Sequence, residues 1–173
     1  MASDTKNVKL GPCKVFYDGV DLGYTKGGVE VEVTTETYKS EVDQFGKTAI
    51  NETITARNVK VTVPLAETTL ENLVKIMPGA TLVNTSGGGK RVEVTDSVGV
   101  SLLELAEELR LHPQHLADTD ESEDFVIPKA ATPGGIKFAY RLEEERVYSC
   151  EFTGYPDPAT RKLFFIGSDA TAA

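Results

Sequence analysis

Across residues 54–65 the apolar side chains Val59, Val61, Val63 and Leu65 alternate with Lys60 and Thr62 and end beside Pro64. That period of two predicts a strand with one face in a core and one in water. A second alternation sets Val29, Val31 and Val33 against Glu30, Glu32 and Thr34, so its wet face carries negative charge. Residues 13–33 as a whole read as a β-meander, with Asp18-Gly19 and Gly27-Gly28 as turns between short Val-, Phe- and Tyr-rich runs. Residues 91–94 form a further apolar-polar run after the turn Ser86-Gly87-Gly88-Gly89-Lys90. In the last third, residues 136–142 and 146–152 alternate and residues 163–166 are a short apolar run.

Two helices are predicted from capping patterns. Thr68 stands three residues before Glu71, and Leu70, Leu73, Val74 and Met77 recur at helical spacing until Pro78-Gly79, giving a helix over about 69–77. Ser101 with Glu104 opens a second one ending near Leu111, which places His112 and His115 at a helix C-terminus closed by Pro113. Residues 35–51 are polar and lack a strong period, interrupted only by Tyr38, Val42, Phe45 and Ile50, and predict a long loop. Such length is uncommon inside a compact domain unless the loop binds something or is mobile. Residues 118–124, with Asp118, Asp120, Glu121, Glu123 and Asp124, predict an acidic loop. Seven or eight short strands and two short helices make a mainly β class, an antiparallel sandwich or barrel with flanking helix, in a single domain over residues 1–173.

Composition then narrows the function. Eighteen Lys and Arg against 27 Asp and Glu give a formal charge of -9, the wrong sign for a chain that grips phosphates. No apolar stretch approaches the ~18 residues of a membrane span. The opening residues lack a basic segment followed by an apolar one, so folding in the cytoplasm is expected, with Cys13 and Cys150 reduced. Gly89-Lys90 fails as a phosphate loop, because Asn84 and Arg91 occupy the positions that need Gly and Ser or Thr. His112 and His115 with Asp118 and Asp120 fall short of a metal-ligand set, no nucleophile elbow is present, and Glu143, Glu144 and Glu145 are consecutive. No catalytic residue, metal or cofactor is therefore expected.

What remains is an order of motifs. Asp21-Leu22-Gly23-Tyr24-Thr25-Lys26-Gly27-Gly28-Val29 comes first, followed by Asp43-Gln44-Phe45-Gly46 and the alternating strand into Pro64-Leu65-Ala66-Glu67-Thr68. Leu111-His112-Pro113, Arg146-Val147-Tyr148, Phe152-Thr153-Gly154-Tyr155-Pro156-Asp157 and Leu163-Phe164-Phe165-Ile166-Gly167-Ser168 complete the series. In this order they resemble the bacteriophage tail tube (major tail) proteins over nearly the whole chain. The resemblance implies a subunit that forms hexameric rings, stacked into the hollow conduit of a long non-contractile tail for genome delivery. It implies self-association, together with a tape measure protein, a tail terminator and distal tail or baseplate proteins as partners. Genomic DNA would pass through the lumen without specific binding, and the subunit would be assembled in the host bacterial cytoplasm into the virion tail.

On that resemblance, residues 35–51 reach an adjacent ring through Tyr38, Val42, Asp43 and Phe45, with Phe45 as principal anchor. The Glu30/Glu32 face lines the lumen, and Lys60 on the neighbouring strand is the residue that fits least. The acidic run is either a surface or inter-ring loop meeting Arg91 or Arg161, or solvated decoration. A tube subunit of a contractile injection system has the same architecture. A β-sandwich binding module is the other alternative, although Trp is absent from the chain.

Overall fold

The alternation at Val59, Val61, Val63 and Leu65 is realised in full, since all four side chains are completely buried in the computed structural model, which describes residues 4–9 and 11–168. They belong to β4 (Ala49–Leu65), which follows β1 (Cys13–Tyr17), β2 (Val20–Asp21) and β3 (Glu30–Glu41). After it come α1 (Leu70–Ile76), β5 (Ala80–Asn84), β6 (Lys90–Val94), β7 (Glu107–Pro113), β8 (Phe125–Ala131), β9 (Tyr148–Gly154) and β10 (Phe165–Ile166). The chain is mainly β, its strand pairs are antiparallel, and α1 is the single α-helix among the described residues.

The main sheet runs β2-β1-β7-β8-β9-β4-β3, with β10 added to β8, and β5-β6 form a separate hairpin against α1. In β9, Tyr148, Cys150, Phe152 and Gly154 are buried while Ser149 and Glu151 are exposed, so the two adjacent strands present one apolar face. Tyr17 on β1 and Phe152 on β9 are three strand positions apart, yet their ring centroids lie 4.9 Å apart. The sheet therefore curls around its core, as a β-sandwich does. Gly154 lets β9 lie close against β4 and β8: a methyl group there would overlap Val59 Cγ1 and lie 2.9 Å from Ile127 Cγ2. Both cysteines are free, and burial pushes the Cys150 thiol up to about 12 while its Sγ–H donates to the Val63 carbonyl at 3.3 Å.

α1 forms where expected, but its cap is Thr69, whose hydroxyl accepts the Asn72 amide at 3.2 Å. Thr68 instead accepts from the Arg146 guanidinium, and Glu71 pairs with Lys90. Buried Asn72 donates to the Leu22 and Glu67 carbonyls, tying the helix to the loop after β2.

Three expectations are corrected, and one strand was not foreseen. Residues 35–51 are not a long loop: residues 35–41 pair with residues 49–57 as the outer part of a β3–β4 hairpin, and only residues 42–48 connect them. Here the strands satisfy each other's backbone groups and neither face is buried, so no apolar period is needed. The second helix is absent, because residues 102–105 form a turn and β7 buries Leu109 and Leu111 in the sheet. Tertiary burial outweighs the local Ser101/Glu104 cap. Residues 136–142 make a lone bridge at Lys137, whereas β8 was not foreseen. Pro128 hides β8 from a period-two reading. It sits where the β7–β8 register shifts, with Pro128 and Lys129 both falling opposite Glu108, a bulge that tolerates a missing N–H.

Replacing Gly154 with Ala is expected to destabilise the fold by about 1–3 kcal/mol through overpacking against Val59 and Ile127. Urea unfolding monitored by circular dichroism measures it; an unchanged midpoint would show that the β4–β8–β9 contact has room to spare.

Candidate assembly surface

The β3–β4 register decides which side chains share a face. Glu30, Glu32, Thr34 and Glu36 lie opposite Thr62, Lys60, Asn58 and Ala56, and β9 extends this face with Glu151 opposite Thr62 and Thr153 opposite Lys60. Lys60 Nζ bonds Glu151 at 2.9 Å. That bond first, and the charges of Glu151, Glu32 and Glu30 after it, push the Lys60 ammonium above its usual value. The three sequence candidates Glu30, Glu32 and Lys60 are thus brought together on one polar face. A carboxylate from the neighbouring strand partners Lys60, and the face keeps a negative excess of Glu30 and Glu32.

The opposite face continues the core. Val31 and Val33 stand opposite the buried Val61 and Val59, yet are 38% and 42% exposed. Beyond the shift between Glu36 and Thr37, Ile54 pairs with Thr37 on this same face and is 57% exposed. β9 accompanies β4 only from Lys60 to Leu65, so residues 49–59 of β4 are paired with β3 alone. The result is a two-stranded arm whose apolar side runs out past the material that covers it inside the molecule. The outer edge of β3, twelve residues long, pairs with nothing among the described residues, while the sheet ends on its other side in the two-residue β2.

Of the predicted contact residues, Val42, Asp43 and Phe45 fall in the turn at the arm's end. There the Phe45 amide donates to the Val42 carbonyl at 3.0 Å and Gly46 donates to Asp43 at 3.2 Å. Gly46 takes φ 62°, a conformation that suits glycine and ends the 3-10 turn. The Phe45 ring is 66% exposed. Tyr38 lies back along β3 opposite Thr53, on the polar side of the arm. Sequence reasoning missed Val31 and Val33 as surface residues, because their alternation was taken for a buried face, and it gave Ile54 no role.

The acidic run is stitched to the sheet. Lys14 holds Asp118 at 2.6 Å, Arg110 holds Glu121 at 2.9 Å, and Glu123 is flanked by Lys9 and His115. Neither Arg91, which pairs with Glu93, nor Arg161 takes part in these bonds. Asp124 is 1% exposed and contacts His112. The two histidines therefore face different carboxylates, and no group of three metal-type ligands occurs among the described residues. The Lys14 bond holds the Asp118 carboxyl below its ordinary value, and the Ser122 hydroxyl and amide do the same for Asp120.

A separate cleft of about 590 Å³ lies between Lys26 and residues 137–147, crossed by the Lys26–Glu145 and Arg141–Glu144 pairs. Beside it, the Arg146 guanidinium stacks within 6.0 Å of Phe138, Tyr140 and Tyr148. No protein-family model matches the chain, and no curated protein matches it in sequence.

Because the folded Asp118 value is depressed, its contribution to stability is present above the ordinary carboxylate range and is lost as pH falls through the lowered value. Carbon-detected NMR titration is expected to place Asp118 below the usual aspartate value in the parent and to return it towards normal in Lys14→Gln. Identical curves in the two proteins would remove the Lys14 bond as the cause.

Proposed function

We propose that the chain is a major tail tube subunit, a structural protein of a virion whose copies close into hexameric rings and stack into a hollow conduit for DNA. One observation carries the reading: an apolar sheet face continues from the core onto an uncovered arm beside an open edge strand. A solitary protein would leave Val31, Val33, Ile54 and Phe45 in water and a long row of backbone groups unpaired, the condition that edge pairing with another copy relieves. The resemblance supplies the ring number and the order of stacking. In this assembly the arm takes the place of the long loop, with Tyr38, Val42, Asp43 and Phe45 reaching the adjacent ring. An isolated two-stranded ribbon is marginally stable in water, so the arm gains rigidity when its apolar side is covered.

The polar face with Glu30, Glu32 and Glu151 against Lys60 fits a lumen wall, since a net negative surface repels phosphate and lets DNA slide without being held. A tube of a contractile injection system would use the same surfaces and differ by a surrounding sheath. A binding module draws support from one feature, the exposed Tyr140 and half-exposed Phe138 beside the 590 Å³ cleft. Partners such as the tape measure protein, tail terminator and distal tail proteins follow from the tail reading alone.

Negative-stain microscopy and sedimentation across a concentration series are expected to reveal rings or tubes of the parent protein. Burying a Phe side chain contributes about 1.5–3 kcal/mol, so Phe45→Ala is expected to raise the assembly concentration roughly tenfold or more. Unchanged assembly of Phe45→Ala would end its role as anchor, and a parent that stays monomeric even with added tail-assembly partners would favour the binding module.

The lumen assignment has its own test. In a Cys13→Ser background, Glu32→Cys within assembled tubes is expected to react with a small maleimide and to exclude a large polymer-linked one. Equal labelling by both reagents would put this face on the outside.

A further inference from the structure

The exposed aromatic side chains beside β9 have no place in the assembly described so far. Phe138 and Tyr140 stand on the segment before β9 with ring centroids 5.6 Å apart, and Phe138 packs edge-on against Tyr148 at 5.0 Å. Tyr140 is 80% exposed, and Leu142, two residues on, is fully exposed. The Arg146 guanidinium lies within 6.0 Å of all three rings and donates to the Tyr140 hydroxyl at 3.3 Å and to Thr68 at 2.9 Å. It makes no ion pair among the described residues. The lone bridge between Lys137 and Ser149 sets an antiparallel register that, continued, puts Phe138 opposite Tyr148 and Tyr140 opposite Arg146, the pairs whose side chains touch. The backbone has not followed, since no residue from 139 to 147 makes a backbone–backbone hydrogen bond among the described residues. An aromatic and cationic face is thus set in hairpin register on open backbone groups, the state of a surface that gains order when it is covered.

We propose that this face receives the arm turn of a second copy, with Phe45 joining the Phe138 and Tyr140 rings and Asp43 pairing with Arg146. The inference rests on the self-assembly reading above and names what the arm meets. Position excludes a contact within one chain. Tyr148 pairs with Leu65, the last residue of β4, while the arm turn comes just before Ala49, its first. The 17 residues of β4, at about 3.3 Å each, hold the two roughly 50 Å apart. Both lie at ends of the same side of the sheet: Tyr148 and Phe152 are buried on it, and Val31 and Val33 stand on it along the arm. A surface at one end of a molecule that fits a surface at its other end makes a head-to-tail contact, which repeats along an axis instead of closing after two copies. Charge matches as well. Asp43 and Lys47 in the arm turn make no ion pair among the described residues, and neither does Glu143 in the bend before Arg146. Asp43 supplies the carboxylate that Arg146 lacks, in a charge-assisted hydrogen bond next to apolar rings, and Glu143 is at hand for Lys47. The exposed aromatic rings that favour a binding module are on this account a site for the chain itself.

Cross-linking tests it, in a Cys13→Ser background with the buried Cys150 left in place. Gln44→Cys and Leu142→Cys, combined in one chain, are expected to be joined between copies by a short bismaleimide in assembled tubes. A denaturing gel then shows a ladder of covalent multimers, each single-cysteine variant stays at the monomer band, and mass spectrometry identifies the 44–142 pair. Tubes of the double variant without that pair overturn the landing site and leave the tail reading standing. A parent that never self-associates, even with added tail-assembly partners, overturns both. Should the double variant not assemble, hydrogen exchange on the unaltered protein decides. On assembly, residues 42–48 and residues 139–147 are expected to gain roughly tenfold or more in protection together. A gain in only one segment, or in neither, overturns the proposal.

Discussion

A single strand is asked to live in two solvents. The inner end of β4 is buried against β9, and its outer end has only β3 beside it. The four buried side chains from Val59 to Leu65 fix the register there, since a slip by one residue would turn Val61 and Val63 into water and Lys60 and Thr62 into the core. Because the backbone is continuous, that register is inherited by the arm. The core thereby decides which side of the arm presents Val31, Val33 and Ile54 and which presents Glu30 and Glu32.

The same inheritance explains how much was legible in the sequence. The inner half of β4, β9 and the short helix could be read because each has one buried face, and a one-sided burial leaves a period. The outer arm could not, because both of its faces are wet and its strand character lies in backbone bonds that side chains do not advertise. β7 was hidden by a plausible local cap, and β8 by Pro128 and by burial on both sides of the register shift. Among site residues, alternation put Glu30 and Glu32 on one wet face and the register sets Lys60 opposite Glu32, but Glu151, the partner of Lys60, is distant in sequence and only the sheet order brings it near. Phe45 and Val42 were found as apolar interruptions in a polar stretch. Ile54 is out of phase with Val59, Val61 and Val63, and only the register shift between Glu36 and Thr37 brings it to their face.

Charge is arranged with similar economy. The exposed Asp118 and the half-buried Glu121 and Glu123 are held near the sheet by Lys14, Arg110 and Lys9, each pair contributing little alone because solvent screens it. Their combined effect is positional: they bring the chain to Asp124, where burial makes one further contact costly to break. An acidic composition, which from the sequence alone reads as solvation, here separates into a wet sheet face and a tethered surface segment.

The geometry of β4 also has a mechanical meaning. A pull on the arm's tip along the strand axis is resisted by the β4–β9 and β3–β4 ladders in shear, with many hydrogen bonds stretched at once instead of one after another. A sideways pull at the same tip would peel the ribbon bond by bond, and the irregularities at Glu36/Thr37 and Ser40/Glu41, where the ladder is interrupted, offer such peeling the least resistance. The arm is stiff to tension and compliant to bending, so a filament joined through it would resist extension while still being able to flex.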